Sequence, residues 1–393
     1  MSVLNTTVPL IETYNDVEVK HFPLRKPTSG LSMLHDYAKT NDIWYCFITT
    51  VTSLKYVSIV DLMGPDVLSK VINKQASIVV DLSFEPFLDC IDSIYEDLVL
   101  PHNIPASQVI FMSNMFDAYQ YNKQIAAKYN SNPIKIFYFS ALEYMLYPNA
   151  INNVEPKSLE VRPYNKKFLN LNRRWREHRP LLVLLLRYRN LLEKGFVSFG
   201  PCENHGDWKD IWDGLRVGAI GNTYLFNAIN ESTDIMNMPP LLLDTEDLHT
   251  NKAELESTTD VYYANSYFSL VSETTFYHRR QHQSSRFITE KTFKPIAMKH
   301  PFLLVTIPRS LEVLKFLGYK TFSPWIDESY DSELNDNQRL LKIIDEVERL
   351  SNLSDSEVET FVRETNDICQ YNFDLLKSKK KFIYEMGETC TVV

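Results

Sequence analysis

The chain has 393 residues, of which 44% are hydrophobic, and it carries a formal net charge of −9. This composition is typical of folded globular proteins and argues against extensive disorder, and the acidic balance argues against a surface that binds nucleic acid over its whole area. Five scattered cysteines without CxxC spacing indicate neither a disulfide framework nor a zinc cluster, and no apolar run is long enough to span a bilayer. The length predicts two domains, and we expect a cytoplasmic protein with no membrane span.

The first part of the chain alternates apolar strands with helices. Continuous apolar runs of strand length, expected of strands covered on both faces, occur at 43–50, 76–82, 108–113 and 134–139. Helical spacing occurs between the later strands, at 87–98 and 115–129. This order predicts a doubly wound α/β domain, to which we assign residues 1–150.

A polar stretch without periodicity around residues 151–164 predicts an interdomain linker. A second α/β domain is then predicted over 165–330, with strands at 167–172, 195–199, 264–273 and 301–306. Ligands of doubly wound sheets bind at the carboxyl ends of the strands, where Asn172, Glu273 and Thr289 are expected to lie. The pattern beyond residue 331 predicts a helical extension over 331–393.

The sequence Thr289-Glu290-Lys291 begins a helical pattern after an apolar entry. A threonine can cap a helix, and the positive end of the helix dipole favours an anion such as a phosphate. A carboxylate at Glu290 could accept hydrogen bonds from both ribose hydroxyls, and the ammonium of Lys291 could meet a diphosphate. An ordinary amphipathic helix with a charge pair in its first turn is the alternative that this pattern leaves open.

Four arginines follow the strand predicted at 167–172, namely Arg173, Arg174, Arg176 and Arg179. Four guanidinium groups at the head of a helix repel one another unless an anion lies between them, and a diphosphate suits their planar fork. Ion pairs with surface carboxylates would also satisfy them. Neighbouring lysines and aromatic residues leave a nucleic-acid backbone as a third interpretation.

The sequence contains no metal-binding or dinucleotide-binding motif of the usual kinds. No Asp-x-Asp motif follows a strand, and the first strand is not followed by a glycine-rich phosphate loop. The acidic positions Asp207, Asp210 and Asp213 are better explained as solvated carboxylates. We therefore expect no bound metal and no cofactor, so Arg and Lys would neutralise the charge of a leaving group.

Three segments together carry a family resemblance: Lys-Phe-Leu-Asn-Leu-Asn-Arg-Arg-Trp-Arg-Glu-His-Arg at 167–179, Phe-Ser-Leu-Val-Ser-Glu at 268–273 and Phe-Ile-Thr-Glu-Lys-Thr-Phe at 287–293. Over about residues 165 to 325 the chain resembles a viral, phage-like glycosyltransferase and is similar to the donor domain of the α1,3-fucosyltransferase family. The resemblance implies a GT-B fold, in which two Rossmann-like domains face each other across a cleft. It also implies inverting, metal-independent transfer from a nucleotide sugar, and for a viral protein the host cytoplasm.

Carried over by position, the resemblance gives Arg179 or Arg176 the diphosphate, Glu290 the ribose, Lys291 the phosphates and Glu273 a place beside the sugar. The chain departs from the family pattern at 274–285, a longer basic insertion, and in the Phe-Ile-Thr entry to the helix. No motif of the family aligns with the first domain, which would supply the catalytic base. Glu85 and Glu143 each follow a predicted strand there and are the candidate bases.

The sequence therefore predicts a glycosyltransferase that moves a sugar from a nucleotide-diphosphate sugar to a hydroxyl acceptor. The acceptor is expected to be a glycan or a hydroxylated base in modified DNA. The alternative is a nucleic-acid-binding or assembly protein on a catalytically inactive scaffold of the same fold.

Overall fold

The computed structural model describes residues 45–49, 65, 68–83, 89–140, 142–143, 166–172, 176–199, 208–232, 243, 260–278, 285–378, 384–387 and 391–392. The chain divides into two units, and each is described by itself. Unit 1 comprises 1–144, 280–287 and 380–393, and unit 2 comprises 145–279 and 288–379. The linker predicted at 151–164 lies outside the described residues.

Unit 1 contains a parallel sheet formed by the four strands predicted in the first part of the chain. They are β1 (Tyr45–Thr49), β2 (Ser77–Leu82), β3 (Val109–Ser113) and β4 (Lys135–Tyr138), in the order β1-β2-β3-β4. Ile78, Val79 and Val80 are all buried, so both faces of β2 are covered, as the unbroken apolar runs predicted. Two helices cross between the strands, α1 (Asp89–Ile94), which continues as a π-helical turn at Tyr95–Val99, and α2 (Ala118–Lys128).

Unit 2 contains a second sheet in which every strand pair is parallel. Its strands are β5 (Phe168–Asn170), β6 (Gly195–Val197), β7 (Phe268–Ser272) and β8 (Phe302–Val305). Their order is β6-β5-β7-β8. The chain moves outward on one side from β5 to β6 and on the other from β7 to β8, so the topological switch point lies between β5 and β7.

The described helices of unit 2 are α3 (His178–Tyr188), α4 (Trp208–Gly218), α5 (Thr223–Glu231), α6 (Asp260–Tyr263), α7 (Glu290–Ala297), α8 (Ser310–Phe316), α9 (Asp336–Ser351) and α10 (Asp355–Ser378). Within the ranges described above, no helix combines the length and the apolar character needed to cross a membrane. The α/β class predicted from the sequence is confirmed for each unit, since each contains parallel strands and helices, and the doubly wound GT-B arrangement of two domains stays a prediction.

The strand predicted at 264–273 begins later than expected, at Phe268. The preceding residues stay turned because Asn265 Nδ2 donates to the Val261 carbonyl oxygen at 2.6 Å and Ser266 Oγ donates to the Tyr262 carbonyl oxygen at 2.8 Å. These local side-chain bonds compete with an extended backbone and delay the strand.

Two short strands near the end of the chain were not predicted, because only helices were expected after residue 331. They are β9 (Tyr384–Met386) and β10 (Thr391–Val392). β9 pairs antiparallel with β4, with Phe137 opposite Glu385, and β10 pairs antiparallel with β9. Strands this short carry no periodic signal, and their pairing depends on a partner far earlier in the chain.

Candidate functional site

The carboxyl ends of β5 and β7 are tied together by the side chain of Asn170. Its Nδ2 donates to the Leu270 carbonyl oxygen at 2.6 Å and to Ser272 Oγ at 3.2 Å. Asn170 and Ser272 are both buried. The switch point, where ligands of doubly wound sheets bind, is therefore a fixed polar edge.

Glu273 follows β7 directly, and its buried carboxylate anchors the start of α7. One oxygen accepts from the Thr289 backbone N–H at 3.0 Å and from Thr292 Oγ1 at 2.5 Å. The other accepts from Thr289 Oγ1 at 2.7 Å and from the Thr274 backbone N–H at 3.2 Å. These bonds give Glu273 a positioning role in the protein, and its expected place beside the sugar stays a prediction.

The helix predicted at Thr289-Glu290-Lys291 begins as expected. Thr289 has an extended backbone and caps α7, since its hydroxyl oxygen accepts from the Lys291 backbone N–H at 3.4 Å. Because Glu273 already receives the Thr289 N–H, part of the positive helix end is occupied by a carboxylate of the protein itself. A phosphate at this end would depend on the nearby cation as well as on the helix dipole.

That cation, Lys291, is paired with its neighbour. Its Nζ lies 2.5 Å from Glu290 Oε1 and 3.2 Å from Thr289 Oγ1. Burial works to raise the pKa of Glu290, but the Lys291 ammonium and its hydrogen bond outweigh it, so the pKa is lowered and the carboxylate is ionised at neutral pH. Both side chains remain partly exposed, Glu290 at 24% and Lys291 at 33%, so a ligand can reach them.

The arginine cluster is partly located. Arg179 is buried in the first turn of α3, where its Nη2 donates to the Ser272 carbonyl oxygen at 2.9 Å. Arg176 lies just before α3 and is partly exposed, and its carbonyl oxygen accepts from the Arg179 backbone N–H at 2.9 Å. Arg173 lies outside the described residues. The two located arginines stand at the same sheet edge as Glu273.

His178, the first residue of α3, was not singled out in the sequence. It is buried, and its ring stacks on Phe276 with centroids 5.3 Å apart. Burial, followed by the charges of Arg179 and Arg176, holds the pKa of His178 well below its usual value. The imidazole is therefore neutral at the centre of a cationic cluster. Its place directly before Arg179 is the signal that the sequence offers for this residue.

The two candidate bases belong to unit 1. Glu143 is buried after β4, and its backbone N–H donates to the Ser140 carbonyl oxygen at 3.1 Å. Glu85 lies outside the described residues. The catalytic role of either carboxylate stays a prediction.

No family model matches the chain, and no curated protein matches it. A solved structure of a glycosyltransferase from Rickettsia africae ESF-5 is similar over 88% of this chain and 77% of that chain, with 11% identity and a TM-score of 0.38. A likeness of this size fixes neither the fold nor the activity of the chain. The resemblance to viral glycosyltransferases and to α1,3-fucosyltransferases stays a prediction.

Metal-binding residues were not expected from the sequence. Within the described part of the chain, no group of three or more His, Cys, Asp or Glu residues is arranged to hold a metal ion. Of the three acidic positions weighed in the sequence, Asp213 forms a surface ion pair with Arg216 at 3.3 Å. The side chains of Asp207 and Asp210 lie outside the described residues.

Six of the predicted site residues thus have a described position, in addition to Glu143. Arg179 donates to the carbonyl oxygen of Ser272, the last residue of β7, and the next residue, Glu273, accepts from Thr289. Glu290 and Lys291 follow in the next two positions, and Arg176 precedes α3. The structure therefore brings the two predicted donor-binding segments to one edge of one sheet.

Proposed function

We propose that the chain is a glycosyltransferase and that unit 2 binds its nucleotide-diphosphate sugar. One observation carries the proposal: adjacent residues at the end of β7 hold the first turns of two helices. The Ser272 carbonyl accepts from Arg179 of α3, and the Glu273 carboxylate accepts from Thr289, the cap of α7. Both helices therefore start at the switch point, where their cationic residues can act on one ligand.

The diphosphate of the donor would lie against these cations. Arg176 and Lys291 are partly exposed and can reach a ligand. Arg179 is buried and donates to the Ser272 carbonyl oxygen at the end of β7. Guanidinium and ammonium groups bind phosphate oxygens through charge-assisted hydrogen bonds, which are about twice as strong as neutral ones. The same groups would neutralise the charge that develops on the leaving nucleoside diphosphate, so that no metal ion is needed for that purpose.

Glu290 would recognise the ribose. An ionised carboxylate has two oxygens and accepts hydrogen bonds from two neighbouring hydroxyls. In the free protein it is occupied by Lys291 at 2.5 Å. Ribose binding would let the ammonium turn from Glu290 to a phosphate, so the internal ion pair would give way to two contacts with the ligand.

The transfer itself would be inverting. The acceptor hydroxyl oxygen forms a bond to the anomeric carbon, the bond from that carbon to the phosphate oxygen breaks, and the electron pair leaves with the nucleoside diphosphate. A carboxylate base, Glu85 or Glu143, would take the hydroxyl proton. A GT-B arrangement, a fucosyltransferase-like donor and an acceptor that is a glycan or a hydroxylated base of DNA belong to the same proposal.

A thermal-shift screen of the full chain tests the donor site. The panel is UDP, GDP, CMP and dTDP with their common sugar conjugates, each with and without EDTA. Selective stabilisation by one nucleotide that survives EDTA is the expected result, because a ligand that binds only the folded state stabilises it. No shift with any nucleotide, together with a salt-sensitive shift with DNA, would instead favour the nucleic-acid-binding alternative.

A further inference from the structure

Among the described residues of unit 2, two histidines are buried, and they differ in their hydrogen bonds. His300 has partners for both ring nitrogens, Ser269 Oγ at 2.8 Å from Nδ1 and the Ser266 carbonyl oxygen at 2.9 Å from Nε2. His178 is equally buried, at 2% exposure, but its Nε2 has no hydrogen-bond partner among the described residues. Buried polar atoms without a partner are rare in native proteins because they cost free energy, so Nε2 requires an explanation.

The protonation state of His178 follows from its remaining contact. The Glu273 backbone works to raise the pKa of the ring, as a carbonyl oxygen that faces a ring N–H does. The Glu273 backbone N–H is already used, since it donates to the Val305 carbonyl oxygen at 3.0 Å. Because Nε2 has no partner among the described residues, the nitrogen that faces this carbonyl is Nδ1, and the neutral ring then leaves Nε2 as an acceptor without a donor.

Asn172 presents a second buried acceptor of the same kind. Asn170 must direct its NH₂ group at the Leu270 carbonyl, which can only accept, so Asn170 Oδ1 faces Asn172. Asn172 must then donate its own NH₂ group to Asn170 Oδ1. This chain of bonds fixes the amide orientation and leaves Asn172 Oδ1 buried with no partner among the described residues.

The two acceptors flank the β5–α3 connection, Asn172 after β5 and His178 at the start of α3. The Glu273 backbone acts on the His178 ring, and Asn172 is linked through Asn170 to Ser272. We propose that His178 Nε2 and Asn172 Oδ1 accept hydrogen bonds from hydroxyl groups of the transferred sugar. The inference rests on the proposed function and names the part of the donor that these two residues recognise.

The chemistry of the two atoms selects this part of the ligand. A phosphate at neutral pH offers acceptor oxygens, so two neutral acceptors disfavour it, and they require a group that donates. The cations of the same edge already serve the diphosphate, and Glu290 serves the ribose in the proposed site. The adjoining part of a nucleotide sugar that is rich in donors is the sugar itself. Its binding would satisfy both atoms.

The test compares the affinity for a nucleoside diphosphate with that for its sugar conjugate. Isothermal titration of the full chain would use UDP with UDP-glucose and GDP with GDP-mannose, and the pair that binds the unchanged chain is then followed in the variants. His178→Phe keeps a ring against Phe276 but loses the acceptor. We expect it to weaken sugar-conjugate binding about 3- to 10-fold relative to nucleoside-diphosphate binding, as for one lost hydrogen bond.

Two further variants separate recognition from folding. His178→Gln retains a donor for Glu273 and an acceptor for the ligand, and it should restore the conjugate preference to within about 2-fold. Asn172→Ser shortens the side chain and removes Oδ1, so it should lose the preference as His178→Phe does. His300→Gln is the matched control, since both nitrogens of His300 have partners in the protein, and it should leave the preference unchanged.

The outcomes distinguish this inference from the proposed function. If the unchanged chain binds none of the nucleotides or conjugates, the proposed function fails. If it binds them, but His178→Phe or a folded Asn172→Ser variant weakens both ligands of a pair equally, the sugar assignment is overturned. If His178→Phe does not fold, the ratio of the affinities for the sugar conjugate and the nucleoside diphosphate is compared in His178→Gln, which should keep it, and Asn172→Ser, which should lose it.

Discussion

Glu273 and Thr289 are joined by two hydrogen bonds, each to a different carboxylate oxygen. The Thr289 backbone N–H donates at 3.0 Å, and its hydroxyl donates at 2.7 Å. The first residue after β7 is therefore fixed to the cap of α7. Because the Thr289 oxygen also accepts from the Lys291 backbone N–H, the position of the Glu290–Lys291 pair depends on Glu273.

Replacing Glu273 with alanine should lower the free energy of unfolding by about 2–4 kcal/mol. The change leaves buried donors at Thr289 and Thr292 without their acceptor, and a buried donor without a partner costs about 1–3 kcal/mol. Urea unfolding followed by circular dichroism measures the loss. Glu348→Ala is the matched control, because its partner Arg189 lies 2.6 Å away in a partly exposed pair, and such pairs contribute about 1 kcal/mol or less.

A different result for Glu273 would change its assignment. If Glu273→Ala unfolds at the same urea concentration as the unchanged chain but no longer binds the nucleotide sugar, the carboxylate acts on the ligand rather than on α7.

Changes at Glu290 and Lys291 should separate ribose from phosphate recognition. Lys291→Ala should weaken both nucleoside diphosphate and inorganic pyrophosphate by about 1–3 kcal/mol, because a charge-assisted hydrogen bond is lost. Glu290→Ala should weaken only the nucleoside diphosphate by a similar amount, since it removes the ribose acceptor but leaves the Lys291 ammonium to bind the phosphates of either ligand. Titration calorimetry checks both variants.

Lys342→Ala is the control for these two changes, because its ammonium forms a surface ion pair with Glu333 at 2.9 Å. Its ligand affinities should equal those of the unchanged chain. Unaltered nucleotide affinity in both Glu290→Ala and Lys291→Ala would defeat the assignment of the donor site.

Glu143→Gln tests one of the two candidate bases. If Glu143 takes the acceptor proton, the rate of transfer should fall on the order of 10²–10⁴-fold while donor affinity is unchanged, because an amide cannot accept that proton. Transfer measured in single-turnover assays, with donor affinity as the internal control, gives the answer. A fall of less than 3-fold, roughly the loss of one weak contact, would leave Glu85 as the candidate.

Asp331 should make stability depend on pH. Its carboxylate accepts from the Ser310 and Leu311 backbone N–H groups at 3.0 and 3.2 Å, but burial dominates and raises its pKa to about 7. The folded state therefore holds a proton that the unfolded state releases near its ordinary pKa of about 4. Stability from this group is greatest below pH 4 and is lost as pH rises to about 7, by at most about 1.4 kcal/mol per pH unit.

The side chain of Asp331→Asn cannot ionise, so the free energy of unfolding of this variant should rise relative to that of the unchanged chain between pH 4 and 7. Urea unfolding of both proteins across that range measures the difference. Parallel stability curves for the two proteins would show that Asp331 does not titrate in this window.

Two glycines should respond to alanine with opposite signs. A Cβ at Gly195, the first residue of β6, would collide with the ring of its strand partner Phe168, which is buried and stacked on Phe268. Gly195→Ala should therefore cost about 1–3 kcal/mol. Gly214 lies in α4 with no atom within 4 Å of an added Cβ, so Gly214→Ala should stabilise by about 0.5–1 kcal/mol. Thermal unfolding compares the two variants with the unchanged chain. A Gly195→Ala variant as stable as the unchanged chain would contradict the packing at Gly195, and a destabilised Gly214→Ala variant would contradict the open space at Gly214.

The sequence by itself determined the local structure of this protein. Unbroken apolar runs predicted the parallel strands, because strands covered on both faces contain no polar alternation. The helix start at Thr289 was predictable because a cap is a contact between residues close in sequence. The short strands β9 and β10 were not predictable, since their stability depends on pairing with the distant strand β4.

Only the tertiary structure decided what each polar residue of the candidate site faces. The sequence placed Glu273 and Asn172 at strand ends, but it could not show that the protein satisfies the carboxylate of Glu273 completely and leaves Asn172 Oδ1 without a donor. His178 became visible only through its burial and its Nε2 atom, which has no partner among the described residues. Hydrogen-bond partners are set by strand order and by packing between distant segments, which a linear pattern of residue types does not encode.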